Sequence, residues 1–166
     1  MENPVNTFQI NQKVVYPSQG VGTIASIKEK EFKGEKIPYY VISLDGSDMT
    51  IMVPLDKAGE LGIRPIVPQD DAQKALDLLG EDSEPVTSDW KQRYQMNLDL
   101  LKQGSVLDIA TIVRTLYRRS KVKELPILER KLYDSALTLL ENEVAFSFGK
   151  LKSEAETLIF TRLESK

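Results

Sequence analysis

The single tryptophan of the chain, Trp90, lies in the segment SDWKQRYQMNL, which has the pattern of a helix start. Most of the positive charge follows it, because residues 90–131 contain ten Lys and Arg against four Asp and Glu. An apolar ring can wedge between base steps of DNA, and cations beside it can bind phosphates. These residue types in this order favour contact with a nucleic acid, and the alternative for the run of charge is a solvated helical surface.

Two interpretations of Trp90 remain open at this point. Four side chains of the segment fall at helical spacing and share one face: Trp90, Tyr94, Leu98 and Leu101. That pattern is typical of a core-facing stripe, with the tryptophan as its first member. In the first turn, however, a side chain can project past the end of a bundle, and the flanking Lys91 and Arg93 favour exposure.

A second basic set surrounds the predicted end of a later helix: Arg114, Arg118, Arg119, Lys121 and Lys123. Favourable interaction of cations with a helix C-terminus explains part of this set. Arg130 and Lys131 fall near the start of the next helix, where the helix dipole disfavours cations, so they indicate a phosphate partner. The first half of the chain is acidic instead, with a balance of −6 over residues 1–85 against +3 over residues 86–166.

The sequence contains few of the residues and motifs that enzymes commonly use for catalysis. Histidine and cysteine are absent, which removes the commonest general base and all thiol chemistry. The glycines of SQGVGT (18–23) lack the lysine and the following helix of a phosphate-binding loop. We therefore predict a non-enzymatic protein with no catalytic residues, no cofactor and no metal site.

The elements that position these residues change character along the chain. Residues 8–67 read as short β-strands separated by turns at Pro17, Lys33-Gly34 and Asp45-Gly46. Gly20 and Gly22, on either side of Val21, mark a place where a strand bends sharply or lies close to another backbone. This pattern predicts a small closed or nearly closed barrel of the SH3 or Tudor type.

The remainder reads as helices. Residues 69–79 form a connecting helix, and residues 80–87 a polar linker. Three more helices are predicted: the first has Ser88 as its N-cap, the second has Ser105, and the third has Pro126 in its first turn. A short final helix is predicted to have Ser153 and Glu156 as a capping pair. The predicted fold class is α+β, with a barrel over 1–67, a connecting helix and linker over 68–87, and a compact helical bundle over 88–166.

The order of these features resembles the CarD/CdnL family of bacterial transcription regulators. In the first half the resemblance is carried by KVVYPSQGVGTI (13–24), KGE (33–35) and MTIMVP (49–54). In the second half it is carried by W-x-x-R-Y-x-x-N-L (90–98), VRTLYRRS (113–120) and LERKLYDSAL (128–137). The first domain type also occurs in transcription-repair coupling factors, but this chain lacks helicase motifs.

The resemblance implies that the barrel docks on the β subunit of RNA polymerase, with Lys30 and Met52 on neighbouring strands as contacts. It also implies that the helical half reaches the upstream edge of the melted promoter. The residues matching the family's DNA contacts are Trp90, Gln95 and Arg130, and the plausible phosphate partners are Arg93, Arg118 and Arg119. Better-known relatives carry basic residues at the positions of Met52 and Gln95. Neither residue has a positive charge, so we expect a smaller electrostatic contribution from both contacts here.

The expected function is a regulator that stabilises the promoter open complex through minor-groove contact. The alternative is a protein-interaction scaffold that binds polymerase or another partner without touching DNA. No apolar run approaches bilayer length and the first residues lack a signal pattern, so we expect a cytoplasmic protein with no membrane contact. A monomer bound to polymerase is the simplest expectation.

Overall fold

The computed structural model describes residues 8–83 and 85–165 of the 166-residue chain. The chain forms two compact units, one ending at Ile66 and the other beginning at Val67. The first unit contains a five-stranded antiparallel sheet, and the second contains five helices. The predicted α+β class is confirmed.

The strands of the first unit follow one another along the chain with short connections. They are β1 (Lys13–Tyr16), β2 (Gly20–Phe32), β3 (Glu35–Leu44), β4 (Thr50–Pro54) and β5 (Arg64–Pro65), with a 3₁₀ turn at Leu55–Lys57. Their order in the sheet is β4-β3-β2-β1-β5, so β4 and β5 are the two edge strands. Every pairing is antiparallel, as short connections require.

One face of this sheet packs on the core because apolar side chains alternate along the strands. Ile24 of β2 lies opposite Ile42 of β3, Tyr40 of β3 lies opposite Val53 of β4, and all four side chains are buried. The backbone N–H of Phe8 donates to the Tyr40 hydroxyl at 2.9 Å, which satisfies that buried polar group.

Two turns of the sheet follow from local chemistry. The β2–β3 hairpin closes through two residues, Lys33 and Gly34, with φ values of 51° and 80°. Positive φ at both central positions is the signature of the turn whose twist matches a right-handed sheet. Gly22 is the predicted point of close approach, since a Cβ built there would lie 2.8 Å from Ile42 Cγ2 and 2.9 Å from the Ser43 carbonyl oxygen.

The helices of the second unit begin and end at recognisable residues. They are α1 (Gln69–Leu79), α2 (Trp90–Gln103), α3 (Val106–Ser120), α4 (Ile127–Phe148) and α5 (Lys152–Leu163). The Ser105 side chain caps α3 as predicted, accepting from the Asp108 N–H. Gly104, with φ of 75°, ends α2 in the left-handed conformation that glycine adopts without strain.

Two predicted caps are wrong by one or two residues. Helix α2 is capped by Asp89 rather than Ser88, because the Asp89 carboxylate accepts from the Lys91 N–H at 3.0 Å. Helix α5 begins at Lys152, so Ser153 lies inside it. Its cap contact is the Glu154 carboxylate accepting from the Leu151 N–H at 3.0 Å, not a pair of Ser153 with Glu156.

The core of the second unit is built around α3, which contacts α1, α2 and α4. Its inward face buries seven side chains: Val106, Ile109, Ala110, Ile112, Val113, Leu116 and Tyr117. Such an apolar stripe is the pattern expected of a central helix in a bundle. Among the residues that the structure describes, no helix is long and apolar enough to span a bilayer.

We predict that Gly22→Ala destabilises the first unit by about 1–3 kcal/mol, because the added methyl overlaps neighbouring backbone that cannot move freely. Urea unfolding combined with amide hydrogen exchange of β2 and β3 measures the change. Ser43→Ala, at an exposed position of β3, is the control and should stay within about 0.5 kcal/mol of wild type. Equal stability of Gly22→Ala and wild type would contradict the close approach.

Glu141 of α4 is buried in the second unit. Its burial, aided by the nearby negative charge of Glu156, raises the pKa of its carboxyl above the ordinary 4.5. The unfolded chain therefore releases this proton at lower pH than the folded chain does. The free energy of unfolding consequently falls as the pH rises from 4.5 through the folded-state pKa.

Glu141→Gln should therefore increase the free energy of unfolding at pH 7, and the gain should disappear below the ordinary glutamate pKa. Denaturant unfolding at a series of pH values measures both results. Glu156→Gln should change the stability in the same direction by a smaller amount, since Glu156 is the lesser cause. A gain of the same size at all pH values would show that ionisation of Glu141 is not responsible.

Candidate nucleic-acid and protein interfaces

Trp90 is the first residue of α2, directly after the capping Asp89. Its ring is half-buried and packs against Tyr94 with the ring centroids 6.4 Å apart and the planes at 55°. Tyr94, Leu98 and Leu101 are also half-buried, so the face that they share with Trp90 is partly covered by the bundle and partly exposed. Trp90 therefore lies at the rim of the bundle, with part of its ring accessible to a partner.

Arg93, one turn after Trp90, is one of the two buried side chains of α2, the other being Asn97. Its Nε donates to Glu129 Oε2 at 2.7 Å and its Nη2 donates to the other carboxylate oxygen. Its Nη1 donates to the Thr87 carbonyl at 3.0 Å. With 2% of Arg93 exposed, its prediction as a phosphate contact is corrected: its donors are used inside the bundle.

Arg118 of α3 has a similar structural use. Its Nη2 donates to the Glu81 carbonyl at 2.6 Å and to the Leu79 carbonyl at 3.3 Å, and its Nη1 donates to the Ser83 hydroxyl. These groups lie at the C-terminal end of α1 and just after it, where helix carbonyls have no helical partner. Arg118 is half-buried, so its assignment to a phosphate stays a prediction, and a phosphate competes there with these acceptors.

Arg114 supports the same helix end, and was part of the basic set seen in the sequence. Its Nη1 donates to the Leu78 carbonyl at 3.0 Å. Burial, together with the positive charge of Arg118, lowers the pKa of Arg114 below its ordinary value. The two arginines thus hold α3 against the carbonyl end of α1.

Three predicted DNA contacts remain at the surface. Arg119 is half-exposed and borders a shallow groove of about 250 Å³ beside Pro85 and Val122. Arg130, in the first turn of α4, is exposed, and its guanidinium carbon lies 5.9 Å from the centre of the Tyr133 ring. Gln95 is exposed, but its Nε2 donates to Asp99 Oδ1 at 3.0 Å, so a phosphate competes with that carboxylate.

Arg130 also lines a polar pocket of about 410 Å³ where α3 ends and α4 begins, and the other lining residues are Ser120, Lys121, Glu124 and Leu125. Beside it three aliphatic side chains are exposed: Val122 (77%), Ile127 (75%) and Leu128 (46%). These three residues were not identified from the sequence. The pattern of apolar residues among the charged Lys121, Lys123 and Glu124 does indicate exposed apolar side chains.

In the first unit, Lys30 lies on β2 and Met52 on β4, and β3 separates them. Lys30 is paired with Ile37 of β3, and Met52 with Val41 of β3. The prediction of neighbouring strands is therefore wrong. The two residues are offset by about 13 Å along the strands and by two strand spacings of about 4.8 Å.

Both side chains nevertheless share one face of the sheet, since paired residues and alternate residues point the same way. That face is opposite to the buried Tyr40 and Ile42. It presents Lys28 opposite Tyr39, and Tyr39 opposite Pro54 of the edge strand β4. Lys30 is exposed and Met52 is half-buried. The face combines apolar area, lysines and an edge strand, which suits binding to another protein.

Within residues 8–83 and 85–165, no group of three or more acidic side chains is arranged to hold a metal ion. The buried Arg93 and Glu129 of the second unit pair with each other, and the buried Glu143 accepts from the Val67 N–H at 3.0 Å. The chemistry available at these surfaces is therefore hydrogen bonding, charge and apolar contact.

We predict opposite results for two arginine variants. Arg118→Gln should lower the free energy of unfolding by about 1–2 kcal/mol, because it leaves carbonyls at the end of α1 without their donor. Arg130→Gln should leave stability within about 0.5 kcal/mol, but should reduce the salt slope of binding to forked DNA by about 0.9. Denaturant unfolding and salt-dependent anisotropy titrations give the two quantities. A larger loss of salt slope in Arg118→Gln than in Arg130→Gln would contradict the assignment.

Comparison with known proteins bears on both units. The family model described as the CarD-like/TRCF RID domain matches residues 8–67, and the model described as the CarD C-terminal domain matches residues 74–160. A Bacillus subtilis (strain 168) protein named "Putative transcription factor YdeB" is 38% identical over 137 residues, which are 82% of this chain and 90% of that protein. The identification made from the sequence is confirmed, and the chain belongs to the CarD family of transcription regulators.

Proposed function

We propose that this protein binds the β subunit of RNA polymerase through its first unit and stabilises the promoter open complex through its second. The observation that carries the proposal is the position of Trp90, half-exposed at the start of α2. Arg93 follows Trp90 by one turn and pairs with Glu129, the neighbour of Arg130. The first turns of α2 and α4 therefore lie side by side, which brings the ring and the exposed Arg130 to one end of the bundle.

The second unit meets DNA in the minor groove at the upstream edge of the melted bubble. Inserting an apolar ring between stacked base pairs costs a few kcal/mol per step, and the cost is smallest where strands are already separated. A wedge with this preference binds the open complex more tightly than the closed complex. That difference in affinity shifts the equilibrium towards the open state, and about 1.4 kcal/mol corresponds to a factor of ten.

Phosphate contacts are few in this arrangement. Arg93 and Arg118 donate hydrogen bonds to other groups of the protein. The exposed cations near the start of α4 are Lys121, Lys123, Arg130 and Lys131. The first turn of α4 also has no side-chain cap, so its N–H groups are open to an anion. Few neutralised phosphates give weak affinity for free DNA, so attachment to polymerase must supply the local concentration of this unit.

The first unit supplies that attachment. Residues 8–67 match a domain for which interaction with RNA polymerase is implied in this family. The face with Lys30, Tyr39 and Met52, together with the edge strand β4, is the contact surface that we propose. Because Met52 is half-buried and uncharged, we expect apolar packing to contribute more to this contact than ion pairing. Lys30 is the basic residue that we propose for the same contact.

One observation favours a second candidate function, a scaffold that binds another protein without contacting DNA. The aliphatic side chains of Val122, Ile127 and Leu128 are exposed and close to Arg130 in the sequence, and exposed apolar side chains serve protein partners as readily as DNA. The two functions differ in salt dependence, because phosphate binding weakens steeply with salt whereas an apolar interface does not.

Trp90→Ala should shorten open-complex lifetimes towards those measured without the protein, by roughly tenfold if the wedge contributes about 1.4 kcal/mol. The lifetime is measured on a ribosomal promoter with a bacterial RNA polymerase after addition of a competitor, while polymerase binding by the variant is confirmed separately.

Phe146→Ala is the matched control, since it removes an exposed aromatic ring from the last turn of α4. Position 146 lies about 28 Å along the helix from Ile127, so this variant should behave as wild type. Wild-type lifetimes with Trp90→Ala would contradict the wedge and favour the scaffold.

A further inference from the structure

Helix α2 buries no apolar side chain completely, and the hydrogen bonds of its buried face are those of Arg93. Its buried side chains are Arg93 and Asn97, whereas its leucines at 98, 100 and 101 are half-buried. Helix α3, of nearly the same length, buries seven side chains. Apolar packing tolerates rotation and sliding better than hydrogen bonds do, so the orientation of α2 depends on what its polar groups bind.

Arg93 connects three parts of the unit through one side chain. Two of its nitrogens bind both carboxylate oxygens of Glu129 in α4, and the third binds the Thr87 carbonyl in the segment that leads into α2. The side chain of Arg93 is 3% exposed and that of Glu129 is 0% exposed. A bidentate contact of this type restrains direction as well as distance, which a single charge contact does not.

The entry to α2 is restrained further by Thr87. Its hydroxyl accepts from the Asp89 N–H at 3.1 Å, and the Asp89 carboxylate in turn accepts from the Lys91 N–H. Trp90 lies between these two hydrogen-bonded residues. The Arg93 contact to the Thr87 carbonyl therefore fixes the backbone on the N-terminal side of Trp90, and the Glu129 contact fixes the turn on its C-terminal side.

Stability alone does not account for a buried pair of charges. Removing two ions from water is costly, and apolar side chains of similar volume often replace such pairs without loss of stability. An apolar pair lacks the directional restraint that the bidentate contact and the Thr87 contact provide. The arrangement thus serves orientation, and the residue that it orients most directly is Trp90.

We infer that Arg93 and Glu129 are positioning residues that hold Trp90 at the angle needed for contact with the open promoter. The inference rests on the proposed function of Trp90. Neither residue touches DNA, and both act through the first turn of α2.

The double variant Arg93→Met with Glu129→Leu tests the inference, with two readouts. Trp90 is the only tryptophan of the chain, so fluorescence of the free protein reports its surroundings alone. We expect retained circular dichroism and cooperative unfolding, together with red-shifted emission and stronger acrylamide quenching. The lifetime extension of open complexes should fall at least about fivefold, which corresponds to about 1 kcal/mol.

Arg93→Lys is the second variant, in case the double variant fails to fold. Lysine keeps the charge beside Glu129 but cannot bind both carboxylate oxygens and the Thr87 carbonyl in one fixed geometry. It should change emission and lifetime in the same direction by smaller amounts. The control is Arg162→Met with Asp77→Leu, which removes an exposed ion pair of the same unit and should change neither readout.

Wild-type emission and wild-type lifetimes in a folded double variant, or in Arg93→Lys, would overturn the inference. Open-complex lifetimes measured with the wild-type protein distinguish failure of the proposed function from failure of the inference. If the wild-type protein does not lengthen open-complex lifetimes, the proposed function is wrong, and the emission of the variants alone then decides whether the pair positions Trp90.

Discussion

The buried contact between Arg93 and Glu129 is the interaction on which the proposed DNA-facing end of this protein depends. It joins the first turns of α2 and α4, two helices that begin far apart in the sequence. Burial of an ion pair costs several kcal/mol per ion before the charges and hydrogen bonds offset it. The helix it holds buries no apolar side chain completely, so this contact contributes to the orientation of the first turn, which carries Trp90.

The hydrogen bonds of the second unit account for part of the positive charge of the chain. The segment 90–131 is rich in arginine, but Arg93 and Arg118 donate to Glu129 and to carbonyls near the end of α1, and Arg114 donates through Nη1 to one such carbonyl. Net charge in the sequence therefore overstates the charge offered to DNA. A small number of neutralised phosphates gives weak affinity for free DNA, which is consistent with the proposed action on DNA already held by polymerase.

Much of the fold could be predicted from the sequence because it depends on local chemistry. The β2–β3 turn has positive φ at Lys33 and Gly34, and the Lys-Gly pair indicates that turn. Ser105 is the serine directly before α3 and caps it. Gly22 lacks a side chain, which allows the close approach seen there. The errors concern tertiary partners. Arg93 was assigned to a phosphate because its acceptor is 36 residues away, and Lys30 and Met52 were placed on adjacent strands because the strand order was unknown.

The central claim is that the side chain at position 90 touches promoter DNA where the bubble begins. The most direct test replaces Trp90 with the photoreactive benzoylphenylalanine and maps cross-links in complexes with RNA polymerase. The account predicts cross-links at the upstream edge of the bubble, formed in open complexes and much reduced in closed complexes. Equal cross-linking in both states, or cross-links to polymerase alone, would contradict it.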